Sequence, residues 1–494
     1  MASAAAHITE TTPLLSSFDP SAQEQADSKN ALDSNVGLVL ETTWKTESQL
    51  LVGYSAPLIC TYLLQYFYNL VIILVVSHLG TDELAAVSLG ITTMNITGFA
   101  VFEGMATSLD TLCAQAYGSG NLKLVGLHMQ RMILFLMLVY IPIGALWICS
   151  PWILAVLVPQ KDLAVLAGSF LRVSLIGVPG YATFEAGKRF VQAQGNFTAS
   201  LVVLLLCAPL SLLLNVLFVF RLQWGVPGAA LAAALTNCFR PVLLLLYIRF
   251  AAPWTLQCWP GFTSAAFRNW SSMVKLSFAG AIMTMCEWFA FEILNLSTAY
   301  ISTAHLAAQS LLSTACVLVW HVPFSASVAV STRIGHLVGS GALDAARKAT
   351  STYAVIFALI GLVDAALFVF ALREIFLPFF IEDDRVRVLV EGALPYLAAF
   401  QFVDATACCC HGIMRGLGRQ AIGGWVIFSV NYAFAVPLAL YLELGPPKLE
   451  LNGMWIALGS GSALLTVAEA LVTKWMSWQR AVEDARKREE PVVS

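Results

Sequence analysis

The chain is a succession of apolar stretches of about 20 residues or more, each long enough for a helix to cross the hydrocarbon core of a bilayer. They fall near 50–78, 84–113, 125–157, 163–186, 197–220, 226–248, 274–299, 304–332, 350–371, 389–413, 422–442 and 453–476, separated by short segments with Gly, Pro or charge. Lipid offers no partner to backbone N–H and C=O groups, so stretches of this length must close their hydrogen bonds internally, as helices. Pro57, Pro179, Pro323 and Pro437 lie inside them, where neighbouring helices can satisfy the freed carbonyls. The expected fold is all-α and integral to the membrane, with about twelve transmembrane helices. Charged residues are 12% of the chain, half the share of a soluble domain. A net charge of −3 gives no case for a nucleic-acid partner. The opening residues, Met1 to Glu10, lack a basic segment followed by an apolar core, so no cleaved signal is expected.

The chain also repeats itself. "ELAAVSLG" at Glu83 to Gly90 recurs as "HLAAQSLL" at His305 to Leu312, and each is followed after one helix by Gly-Ser-Gly, at Gly118 to Gly120 and Gly339 to Gly341. "QAQGN" at Gln192 to Asn196 echoes "RGLGR" at Arg415 to Arg419. Six spans separate the copies, so both begin on the same side of the membrane. That predicts two pseudo-symmetric six-helix lobes related by an axis along the membrane normal. The expected segments are a disordered polar tail over 1–44, an N-lobe over 45–248, a linker over 249–268, a C-lobe over 269–477 and a second tail over 478–494. Lys and Arg concentrate in the even-numbered connections, among them Lys123, Lys188, Arg189, Arg268, Arg347, Arg415 and Arg419. By the positive-inside bias those connections, and both termini, are cytosolic.

Ionisable residues inside such helices are costly and become functional candidates. The seventh stretch carries two, Glu287 and Glu292, five residues apart and so roughly 140° around a helix. Both can face a wide cavity, or one can serve as a structural hydrogen bond to a neighbouring helix. Asp404, Cys408, His411 and Arg415 form one stripe on the tenth stretch, either the polar wall of a cavity or a structural Asp with an interfacial Arg. Glu103 lies mid-span in the second helix, Glu185 with Lys188 and Arg189 reads as a local ion pair, and Asp364 is alone in the ninth. Gln65, Asn69, Glu103, Trp288, Asn295 and His411 are the candidates for a substrate cavity. Asp110 and Arg333 end the second and eighth helices at nearly equivalent repeat positions, which suggests an ion-pair gate on the cytosolic side. "CCCH" at Cys408 to His411 predicts no metal, since successive helical side chains point about 100° apart. No phosphate loop, HExxH, GxSxG or dinucleotide fingerprint is present, so no enzymatic activity is expected.

"HLGTDELAAVSLG", "GMATSLDTLCAQAYGSG", "CEWFAFEIL", "STRIGHLVGSG" and "GIMRGLGRQ" occur in that order. They resemble the multidrug and toxic compound extrusion (MATE) family in its eukaryotic, fungal branch, over residues 45–475. The resemblance implies two lobes forming a V around a central cleft, and cation-driven export by alternating access. It further implies coupling roles for Glu287 and Glu292, which match paired seventh-helix acids of eukaryotic members, and for Asp404, which matches an acid on the tenth. Bacterial proton-driven relatives keep an aspartate on the first helix, where this chain has Gln65 and Asn69; that moves the expected proton site to the C-lobe. Animal members carry a glutamate early in the eighth helix, where this chain has Ser313 and Thr314. That departure weakens any inference that the substrates are organic cations.

A carboxylate in a low-dielectric cavity holds a proton more firmly than one in water, and releases it when the cavity opens to another environment. The expected function is therefore secondary active efflux of small organic substrates by antiport, with H⁺ or Na⁺ as coupling ion and no further cofactor. A lipid or lipid-linked flippase, a Na⁺-coupled exporter and a channel are the alternatives. The protein is expected to be monomeric in a vacuolar or plasma membrane. "ETTPLL" at Glu10 to Leu15 fits an acidic dileucine pattern, in which Glu10, Leu14 and Leu15 would engage a sorting adaptor.

Overall fold

The computed structural model describes residues 42–158, 160–376 and 383–489. The dileucine segment with Glu10, Leu14 and Leu15 lies outside them. Among the described residues, twelve helices are long and apolar enough to span a membrane. In the N-lobe these are α1 (Trp44–Val76), α2 (Thr81–Gly118), α3 (Leu122–Ile148), α4 (Lys161–Gln192), α5 (Thr198–Arg221) and α6 (Gly225–Phe250). The C-lobe holds α7 (Ser271–Tyr300), α8 (Thr303–Gly339), α9 (Leu343–Glu374), α10 (Asp384–Gly416), α11 (Gln420–Leu444) and α12 (Glu450–Trp475). A further helix, α13 (Trp478–Glu489), follows the last span.

Local chemistry sets several of the boundaries. Thr43 caps α1 by accepting from the Thr46 amide through Oγ1 at 3.1 Å. The third apolar stretch is two helices rather than one: α3 stops at Ile148, and Ser150–Leu157 restarts with Pro151 in its first turn, where a missing N–H costs nothing. Helix α2 runs on to Gly118, beyond the expected 113, because its last turn is buried against α8. The linker holds two short 3₁₀ turns, Pro253–Cys258 and Ser264–Phe267. It is strapped to α3, where Lys123 Nζ donates to the Trp259 carbonyl at 3.0 Å and Gln130 Nε2 to the Gly261 carbonyl at 2.7 Å.

The structure explains the repeated Gly-Ser-Gly. Its second glycine, Gly120 or Gly341, takes a left-handed φ of 84° or 74° and reverses the chain after the helix. Its first glycine is a crossing point. A Cβ on Gly118 would lie 2.2 Å from the His336 carbonyl oxygen, and one on Gly339 would lie 2.1 Å from that of Gln115. The ends of α2 and α8 therefore pack backbone to backbone across the two lobes, as small residues allow in membranes. Gln115 Nε2 donates to the Gly416 carbonyl at 2.9 Å and Thr111 Oγ1 to that of Arg415 at 2.5 Å, adding α10 to the junction. Helix α13 lies over it: Arg488 Nη1 donates to Gln115 Oε1 at 2.8 Å, and Asp484 pairs with Arg419 at 3.0 Å. At this end, which also bears the basic connections, the lobes are joined.

Candidate functional site

Three helices of the C-lobe bring its ionisable side chains together. Glu287 of α7 faces His411 of α10, Oε1 to Nδ1 at 3.4 Å, and its side chain is 33% exposed. His411 turns its other nitrogen, Nε2, to Glu469 Oε2 of α12 at 3.3 Å. The α10 stripe continues to Arg415, whose Nη2 donates to Ser327 Oγ at 2.7 Å and whose guanidinium lies over the Phe324 ring, 5.8 Å from its centroid. Asp404 begins the stripe, half-buried, within electrostatic range of both Glu287 and Asp364. The ninth-helix acid that stood alone in the sequence thus lies in the field of Asp404.

The other expected residues distribute differently. Glu292 is half-buried and takes no part in that network. Trp288 is 46% exposed. Asn295 accepts from Gln309 Nε2 and Ser313 Oγ, both at 2.9 Å, so Ser313 ties α8 to α7 by a neutral hydrogen bond. Gln65 and Asn69 are half-buried on α1. Their helix meets the C-lobe through Tyr62 and Tyr66, whose rings lie 6.3 and 6.0 Å from that of His321. His321 bonds through Nδ1 to the Val317 carbonyl at 2.5 Å, beside Pro323.

In the N-lobe the charges neutralise one another. Glu185 binds Lys188 Nζ at 2.8 Å and Arg189 Nη1 at 2.5 Å, the local pair expected from their spacing. Arg189 also reaches Asp110 Oδ1 at 3.2 Å and the carbonyl of Glu103 at 3.3 Å. The Glu103 carboxyl is half-buried within the field of that cluster.

The expected gate pair is not formed. Asp110 is committed to Arg189 within its own lobe, and Arg333 binds Glu47 instead, Nη2 to Oε1 at 2.6 Å. Tyr353 donates its hydroxyl to the other carboxylate oxygen of Glu47. Glu47, in the first turn of α1, is fully buried, as are Arg333 and Tyr353 at 3% and 0% exposure. Among the described residues this is the one ion pair that joins the two lobes. The sequence pointed to the helix end but not to its partner, because Glu47 precedes the first apolar stretch near 50–78, and nothing marks Tyr353. Glu469 was also missed, although a single acid amid "LLTVAEALV" is a usable signal.

Twelve spans, an internal duplication and acids clustered within the C-lobe are the marks of a two-lobed membrane transporter. A profile of the MatE family matches twice, over 57–217 and 280–441, once per lobe. The chain is 39% identical over 440 residues to an uncharacterized transporter of Saccharomyces cerevisiae, covering 89% of this chain but only 63% of that protein's length. It is 29% identical over 444 residues to multidrug and toxin extrusion protein 2 of Mus musculus, covering 90% of this chain and 77% of the relative. The crystal structure of the eukaryotic MATE transporter AtDTX14 superposes with a TM-score of 0.84 at 27% identity, covering 90% of this chain and 100% of that one. The chain belongs to the MATE family, and it is an integral, multi-pass membrane protein.

Proposed function

We propose that this transporter exports small organic compounds in exchange for protons, by alternating access between its lobes, with Glu287 and Asp404 carrying the coupling proton. The observation that carries the reading is the carboxylate group itself. Glu287 keeps a third of its side chain exposed, lies in the field of Asp404, and contacts an imidazole rather than a permanent cation. Acids so placed change charge at small energetic cost when the surroundings change, whereas Glu185 and Asp110 of the N-lobe are locked to Lys188 and Arg189. The joined, basic end is cytosolic in this reading, so the structure is a cytosol-closed state. The positive-inside bias supports that orientation, and a vacuolar or plasma membrane is the destination.

The test is transport into proteoliposomes under an imposed pH gradient, assayed with a panel of small organic dyes. A pH gradient should drive dye movement and a Na⁺ gradient of equal size should not. Glu287→Gln and Asp404→Asn should each abolish the movement while leaving insertion intact. Wild-type-like transport in both variants would overturn the assignment.

A further inference from the structure

Glu469 is the most deeply enclosed acid in the C-lobe interior. Its side chain is 0% exposed, neither carboxylate oxygen has a well-formed hydrogen bond, and its polar contact is His411 Nε2 at 3.3 Å. A buried carboxylate with one neighbour is costly unless that neighbour supplies a proton. His411 is suited to supply one: a neutral imidazole accepts a proton on one nitrogen while it gives one up from the other. Its second nitrogen faces Glu287, and side-chain exposure falls along the row from 33% at Glu287 to 11% at His411 and 0% at Glu469.

We propose that Glu287, His411 and Glu469 form a three-membered proton store, in which Glu469 is a second, sealed proton-binding site served through His411. This deepens the proton-exchange reading and rests on it. In the loading step the O–H bond of protonated Glu287 breaks and its proton joins His411 Nδ1. The Nε2–H bond of the same imidazole breaks, and that proton joins Glu469 Oε2. One proton has moved, the imidazole is again neutral in its other tautomer, and Glu287 is a carboxylate that refills from the cavity. Unloading runs the same bonds in reverse, because Glu469 has no exit of its own: it stores a proton and does not conduct it across the membrane.

The surroundings support two charge states. Arg415, one turn further along α10 than His411, acts electrostatically on all three members. Asp404 acts on Glu287, and Cys410 lies within range of Glu469. From α11, Gly423 leaves room beside Glu469: a Cβ there would lie 3.4 Å from Oε1 and close to Met283. The ionised form of Glu469 therefore has a cation within electrostatic range, and the protonated form has small, soft side chains beside it.

Infrared difference spectroscopy between acidic and alkaline buffer, on the full chain in lipid nanodiscs, reads protonated carboxyls directly and needs no substrate. Glu469→Gln should remove one titrating carboxyl band, and Glu287→Gln a different one. His411→Gln should remove the Glu469 band from the difference spectrum, because the charge state of Glu469 then no longer follows pH. If Glu469→Gln retains every titrating band while Glu287→Gln loses one, the store is wrong and the proton-exchange reading stands. If Glu287→Gln also retains every band, that reading falls as well. Should Glu469→Gln not fold, His411→Gln decides: a Glu469 band that still titrates as in the wild type overturns the store.

Discussion

Removing the charge of Glu47 should shift the transporter out of the state seen here. Arg333 donates to both oxygens of Glu47, Nε at 3.2 Å to each and Nη2 at 2.6 Å to Oε1, and all of it is buried. Glu47→Gln keeps the shape but leaves the guanidinium as an uncompensated buried cation, a change that costs about 3–5 kcal/mol. That cost belongs to one state, because Glu47 is in the N-lobe and Arg333 and Tyr353 are in the C-lobe. When the lobes part at this end, Arg333 reaches water and the penalty disappears. The ratio of joined to parted states should then fall by a factor between about 10² and a few times 10³. Tyr353→Phe, which deletes one hydrogen bond to a charged group, should give a smaller shift of about 1.5–3 kcal/mol. Hydrogen–deuterium exchange in nanodiscs provides the assay: amides in the first turns of α1 and the last turns of α8 should exchange faster in Glu47→Gln. The double replacement Glu47→Leu with Arg333→Leu removes both charges and should restore most of the protection. If the double variant exchanges as fast as Glu47→Gln, or if exchange at these ends is unchanged in a folded Glu47→Gln protein, the pair does not hold the lobes together.

Other expectations follow from particular contacts. Gly339→Ala places a methyl 2.1 Å from the Gln115 carbonyl where ordinary contact begins near 3.4 Å, so α2 and α8 must separate by more than an ångström. Overpacking of that kind costs about 1–3 kcal/mol, and a lower melting temperature with faster exchange at the crossing would register it. Glu185→Gln strands Lys188, which is fully buried, and should lower stability by about 3–5 kcal/mol. Thermal unfolding checks this, and a Glu185→Leu, Lys188→Leu double variant should cost less than the single one. Replacing Leu14 and Leu15 by Ala should redirect a fluorescently tagged protein to a different membrane; identical localisation means the dileucine segment is not read.

Much of the protein follows from one-dimensional information. Twelve long apolar stretches dictate helices because lipid leaves the backbone no other partner, and the repeated glycine motifs dictate two lobes because they mark equivalent turns. The Glu185, Lys188 and Arg189 cluster was legible for the same reason: partners three and four residues apart on a helix meet whatever the tertiary fold does. Glu287 and Asp404 stood out because an acid in an apolar helix is expensive wherever that helix packs. Partnership between helices was decided by the tertiary structure. The contact of Glu287 with His411, the enclosure of Glu469 and the capture of Arg333 by Glu47 rather than Asp110 all join residues far apart in the chain. Hydrophobic periodicity carries no term for such contacts, because it records which side of a helix is apolar and not which helix lies opposite. That choice rests on where glycines let two backbones touch and how each helix is rotated once they do.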